Sequence, residues 1–226
     1  MKTYSANSGS FDKRPYYKPR EIEKLCLDEL RAVDLLPSSP AAIRMDRFIE
    51  KRFKVIPEYD DIPNAVLGYT EFGDNKVQRV VISRKLDSDG SKQAECRIRT
   101  TMAHEGGHGL LHTALFTPHT TPLFGDVSDP VKPRVMCRDE VKPIGAQHRY
   151  DGRWWEYQAN MVIAPLLLPK PLVEIALEPF LIKCGLFAMT IDDSCRDEAI
   201  DSIAETFEVN PVVARIRLHD MYPVVS

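Results

Sequence analysis

His104-Glu105-Gly106-Gly107-His108 decides how this chain is read. If the stretch is helical, residues four apart lie on one face, about 6 Å apart along the axis, so two imidazoles can meet on one point. Glu105 then sits about 100° round from His104, close to that point without occupying it. Three glycines (Gly106, Gly107, Gly109) crowd the same stretch. Each costs about 1 kcal/mol relative to alanine inside a helix. A helix that accepts them needs a face without side chains, where another element can come close. The alternative is a loop, which would not hold the two histidines at a fixed separation.

His-Glu-x-x-His on a helix is the pattern in which two histidines bind zinc and the glutamate acts as general base. A catalytic zinc site takes three protein ligands and keeps one position open for water. The candidate third ligand lies downstream, in Trp154-Trp155-Glu156-Tyr157-Gln158-Ala159-Asn160-Met161, which continues into Val162 to Pro169. This run reads as a second helix with an apolar body and one acid, Glu156, at its polar edge. An ordinary exposed helix glutamate is the other reading of Glu156. His112 lies eight residues from His104, about 12 Å along the axis, too far for one ion to bridge both. A polar contact at the helix end is its expected role.

Two runs now stand in order: Arg99-Thr100-Thr101-Met102-Ala103-His104-Glu105-Gly106-Gly107-His108-Gly109-Leu110-Leu111-His112, then Trp155-Glu156-Tyr157-Gln158-Ala159-Asn160 with Leu166-Leu167-Leu168-Pro169. Together they resemble the ImmA/IrrE family of metallopeptidases, whose pattern is an Ala-His-Glu-x-Gly-His helix followed by a Glu-x-x-Ala-Asn helix ending near Leu-Met-Pro. The resemblance covers roughly residues 40 to 220. It implies His104, His108 and Glu156 on zinc and Glu105 as catalytic base. It also implies a protein substrate, often a helix-turn-helix repressor, cleaved to relieve repression. Two departures are visible: a long separation between His108 and Glu156, with an insertion-like stretch from about 115 to 152, and Leu168 where methionine is common.

The 226-residue sequence as a whole sets the frame. A net charge of −3 with 28% charged residues gives no electrostatic reason to expect nucleic acid or membrane as the main partner. The N-terminus lacks the apolar segment of a signal peptide, and the apolar run from Met161 to Leu168 is too short to cross a bilayer. Five cysteines (Cys26, Cys96, Cys137, Cys184, Cys195) form no Cys-x-x-Cys pair. Reduced thiols in a cytoplasmic protein are expected. Cys137 reads as a small apolar residue near the site. A deformylase-like site would instead place its cysteine before the histidine pair.

Along the chain, residues 1–18 read as a disordered tail and 19–226 as a single domain. Its core spans about 40–170 and its C-terminal helical part about 171–226. Helices are expected from Pro19 to near Leu36 and from about Ser38 to Arg52. Val55-Ile56, Val66 to Phe72 and Val77 to Ser83 read as strands, with a turn at Gly73-Asp74-Asn75. The histidine helix starts near Ser91 to Gln93, and further helices span about 153–167, 171–182, 195–207 and 211–220. The fold class is α+β: a small antiparallel three-stranded sheet on a zincin-like helical core, with added C-terminal helices. Between Phe116 and Asp151 five prolines indicate an irregular connection, a lid or specificity loop over the site. His148, Arg149 and Tyr150 are candidate second oxyanion donors. Substrate is expected to add as a strand along a sheet edge, with Val77 to Ser83 as that edge.

Two other functions compete with a zinc endopeptidase. One is a non-proteolytic regulator that keeps the fold and the metal. The other is a DNA-binding regulator using the C-terminal helix pair, with Arg215, Arg217 and His219 facing phosphate. Against the latter, residues 192–208 carry seven acids and one base, Arg196, which would repel a duplex.

Overall fold

The histidine stretch is helical, inside a twenty-residue helix (Lys92–Leu111) that runs through the middle of the molecule. Ser91 starts it: its Oγ accepts the Ala94 amide at 3.1 Å, satisfying one of the free donors of the first turn. From Thr101 to Gly109 every residue is buried, so this helix is covered on all sides rather than along one stripe.

A computed structural model describes residues 2–5, 13–63, 65–116, 134–138, 153–184 and 188–223. In chain order the elements are β1 (Lys2–Ser5), β2 (Lys13–Tyr16), α1 (Pro19–Ala32), α2 (Met45–Phe53), β3 (Glu58–Asp60), β4 (Val66–Gly73), β5 (Lys76–Ser83) and α3 (Arg84–Asp89). Then follow α4 (Lys92–Leu111), α5 (Thr113–Phe116), β6 (Arg134–Arg138), α6 (Trp154–Leu167), α7 (Lys170–Leu177), β7 (Leu181–Cys184), β8 (Ala188–Ile191), α8 (Arg196–Thr206) and α9 (Pro211–Met221). The class is α+β. Helix α4 packs on β4 and β5, on α6, and on α2 and α3, while α1 and α9 reach α6 from outside. One cluster of buried side chains extends from Ile22 on α1 to Leu218 on α9, with Phe48, Phe72, Leu166 and Phe207 among its large members.

The sheet differs from the sequence reading in several features. Among the described residues its order is β3-β5-β4-β6, four strands rather than three, and it is mixed rather than antiparallel. The first strand is Glu58–Asp60, not Val55-Ile56. Lys54 ends α2 in the left-handed region (φ 62°), Ile56 is 73% exposed, and Pro57 has no N–H to give a ladder. The chain reverses between β3 and β4 and again at the β4–β5 hairpin, so β3 lies parallel to β5. That hairpin turns at Asp74-Asn75, both at positive φ (49° and 57°), the geometry that suits the twist of a two-residue turn. The fourth strand, β6, pairs with β4 from inside the segment read as irregular. It is five residues long and free of proline, too short for its alternation to stand out. Strand β5 is therefore covered by β3 at Val81–Ser83, so that part of the expected substrate edge is not an edge; among the described residues the outer strands are β3 and β6.

Two more expectations need correction, and a third falls on residues that are not described. The supposed tail contains the antiparallel pair β1–β2, and Pro15 is buried. The helix expected over 171–182 ends at Leu177, because Pro179 breaks it into a short 3-10 turn, and the chain continues as the β7–β8 hairpin. Residues 117–133 and 139–152, which hold most of the expected lid and the donors His148, Arg149 and Tyr150, lie outside the described residues. No single described helix is long and apolar enough to cross a membrane.

The glycines explain how α6 comes near enough to α4 to complete a site. A Cβ on Gly107 would lie 3.1 Å from the Ala159 carbonyl oxygen, 3.1 Å from Val162 Cβ and 3.2 Å from Ala159 Cα. Gly107 and Ala159 thus form the seam at which the two helices touch. Gly106 differs: its Cβ would meet only side-chain atoms at 3.7–3.9 Å, an ordinary contact. Urea unfolding should separate the two. Gly106→Ala is expected to be neutral or to stabilise by up to about 1 kcal/mol, through helix propensity. Gly107→Ala is expected to destabilise by about 1–3 kcal/mol, because backbone cannot give way to the new methyl. Equal midpoints for the two variants would contradict the seam.

Candidate metal centre

His104 and His108 come from successive turns of α4 and face α6 across the Gly107 seam. Glu156, in the first turn of α6, completes the group. His104 Nε2 and His108 Nε2 lie 3.0 Å apart. Glu156 Oε2 is 3.2 Å from His104 Nε2 and 3.6 Å from His108 Nε2. A tetrahedral ion with bonds of about 2.1 Å separates its ligand atoms by about 3.4 Å, so the three donors sit at the spacing one ion requires. Of the three side chains, Glu156 is the one that meets solvent, at 17% exposure against 4% and 0% for the histidines. The three residues could hold a metal ion.

Their protonation suits that role. Burial pushes His108 down to about 4, only partly offset by its contact with Glu156. Burial raises the Glu156 carboxyl, but its contacts with His104 and His108 outweigh this and hold it well below the usual carboxylate range. Near neutral pH the group is therefore a neutral imidazole beside an ionised carboxylate, the forms that bind metal. His104 is oriented from behind: its Nδ1 lies 2.9 Å from Asn160 Oδ1, which accepts the ring N–H. Asn160 stands four residues after Glu156, on the same face of α6, so that spacing was the available signal for it.

Glu105 is fully buried and lies outside the donor group. It faces β4, where Thr70 Oγ1 donates to its Oε2 at 2.6 Å. Gly68 makes room for this carboxylate: a Cβ there would lie 3.4 Å from Glu105 Oε1 and only 2.7 Å from Thr101 Cγ2. Nothing in the sequence marks Thr70, which reaches Glu105 only through the packing of sheet on helix.

His112 is not in the donor group, as helix geometry required. It ends α4 and touches the site through His108, with Nδ1 3.0 Å from His108 Nδ1 and Nε2 3.0 Å from Gln158 Oε1. Burial lowers it to about 3, with His108 beside it adding to the shift. Its ring packs edge-on to Trp154, 5.8 Å between centroids. Gln158 and Pro15 were not anticipated, and the contact between them joins residues 143 positions apart.

One of the three basic residues proposed for DNA, Arg217, does not face solvent. Arg217 is 3% exposed, its Nε donates to the Leu168 carbonyl at 3.0 Å, and its guanidinium pairs with Glu23. Compared with known protein families and with curated proteins, the chain matches none.

Proposed function

We propose that the protein is a zinc-dependent endopeptidase whose substrate is a protein regulator. The observation that carries this reading is the convergence of two imidazole nitrogens and one carboxylate oxygen, 3.0–3.6 Å apart, beside a buried glutamate on the same helix. Two nitrogen donors and one oxygen donor in a largely buried site suit zinc. His104, His108 and Glu156 hold the ion. When bound with a position open, such an ion acidifies water and polarises a carbonyl oxygen. Glu105 accepts the proton of the attacking water and delivers it to the leaving amine. Thr70 fixes the carboxylate in that orientation, and Asn160 fixes the ring of His104. The likeness of the two runs at 99–112 and 155–169 to ImmA/IrrE enzymes supports a transcriptional repressor or similar regulator as substrate. Free thiols at Cys26 and Cys96, both buried, fit a cytoplasmic setting.

Incubation with a peptide library and with folded repressors is the direct test. Cleavage is expected that stops with a chelator and returns with one equivalent of zinc. Cleavage indifferent to the chelator, or zinc-loaded protein that cuts none of these, would remove the reading.

A further inference from the structure

A line of four buried polar groups leads away from the metal centre and ends on the main chain of the N-terminal strand. Pro15 on β2 and Gln158 on α6 are buried, as are His112 and His108. The separations along the line are 2.7 Å from Gln158 Nε2 to the Pro15 carbonyl oxygen, 3.0 Å from Gln158 Oε1 to His112 Nε2, and 3.0 Å from His112 Nδ1 to His108 Nδ1.

The direction of every bond follows from the far end. A main-chain carbonyl only accepts, so the Gln158 amide presents its NH2 to Pro15. Its oxygen therefore faces His112, and His112 Nε2 must carry a hydrogen. A neutral imidazole has one such hydrogen, so His112 Nδ1 is a bare acceptor. His108 Nδ1 then has to donate, which leaves His108 Nε2 with an open lone pair. That atom is the one aimed at His104 and Glu156. Reversing the line would set two lone pairs against each other in a buried place and turn an N–H towards the ion. Hydrogen bonds to the distal nitrogen of a ligating histidine are known to set its tautomer and orientation.

We propose that Gln158 and His112 are positioning residues which, anchored on the Pro15 carbonyl, fix the tautomer of His108 and hold its Nε2 open for the ion. The proposal rests on the metal-binding reading. It makes docking of the N-terminal strand part of metal affinity, although that strand contributes no ligand.

The test uses the full chain and two readouts: the zinc dissociation constant by competition with a chelating dye, and the His108 tautomer of the metal-free protein by 15N NMR. His112→Phe keeps the ring and removes the acceptor. It is expected to weaken zinc binding by about 10–100-fold, the usual cost of losing such an outer partner, and to leave His108 in mixed tautomers. His112→Gln, which can accept from His108 and donate to Gln158, is expected to restore both readouts to within about threefold of the parent. Gln158→Leu acts two hydrogen bonds from His108, so it carries the test if the phenylalanine variant does not fold. It is expected to move both readouts in the same direction. Parent-like affinity and an unchanged tautomer in His112→Phe or Gln158→Leu overturn the proposal while the metal reading stands. A parent chain that binds no zinc overturns both.

Discussion

Glu156→Ala is expected to cost the protein its metal ion. The substitution removes the one carboxylate of the three donors and leaves two imidazoles 3.0 Å apart. Losing a mere outer partner weakens metal sites by about 10–100-fold, so loss of a ligand should exceed about 100-fold. Two measurements check it. Elemental analysis of purified protein should give close to one zinc in the parent and little in the variant. Thermal melts with added zinc should diverge as well. At a free concentration about 1,000 times its dissociation constant, the ion stabilises the parent by about 4 kcal/mol, and the variant should gain little. The fold itself should survive, because α6 is held by the Gly107–Ala159 seam and by buried Val162, Leu166 and Leu167 rather than by Glu156. A variant that retains one tightly held zinc would refute the assignment of Glu156.

Glu105→Gln should separate chemistry from binding. Glutamine has the shape of glutamate, and its amide oxygen can still accept from Thr70, so the contact with β4 persists. What disappears is a group able to take a proton. The expected result is a fall in cleavage rate of about 10²–10⁴, the usual contribution of a positioned general base, with zinc content unchanged. Rates and metal content measured on the same preparations decide the matter. A biological effect of the protein that survives this substitution would favour a non-proteolytic regulator.

The donor group was legible because it depends on rules that act over one or two helical turns. The spacing of His104 and His108, the start of α4 at Ser91 and the acid in the first turn of α6 can all be read locally. The glycines announced a close approach, and Gly107 meets Ala159 as that reading required. Gly106 did not share that reason, since a methyl group has space there. Sheet order was not legible, because pairing joins residues far apart in sequence: β6 meets β4 across more than sixty residues, and two chain reversals place β3 beside β5. The outer contacts of the site were hidden for the same reason. His112 was expected to make a polar contact at the helix end, but its partners His108 and Gln158 emerged only once α4 and α6 were packed.

Arg217 gives the molecule a timetable. Its guanidinium sits on α9, grips Glu23 on α1 and donates to the carbonyl at the end of α6, the helix that carries Glu156 and Asn160. A nascent chain that has emerged only as far as residue 170 already contains every proposed zinc ligand. It still lacks α9, whose Arg217 ties the Leu168 carbonyl at the end of α6 to Glu23 on α1. A chain cut before α9 is therefore expected to lose the tie between the end of α6 and α1, and to hold Glu156 and Asn160 less firmly than the whole protein does.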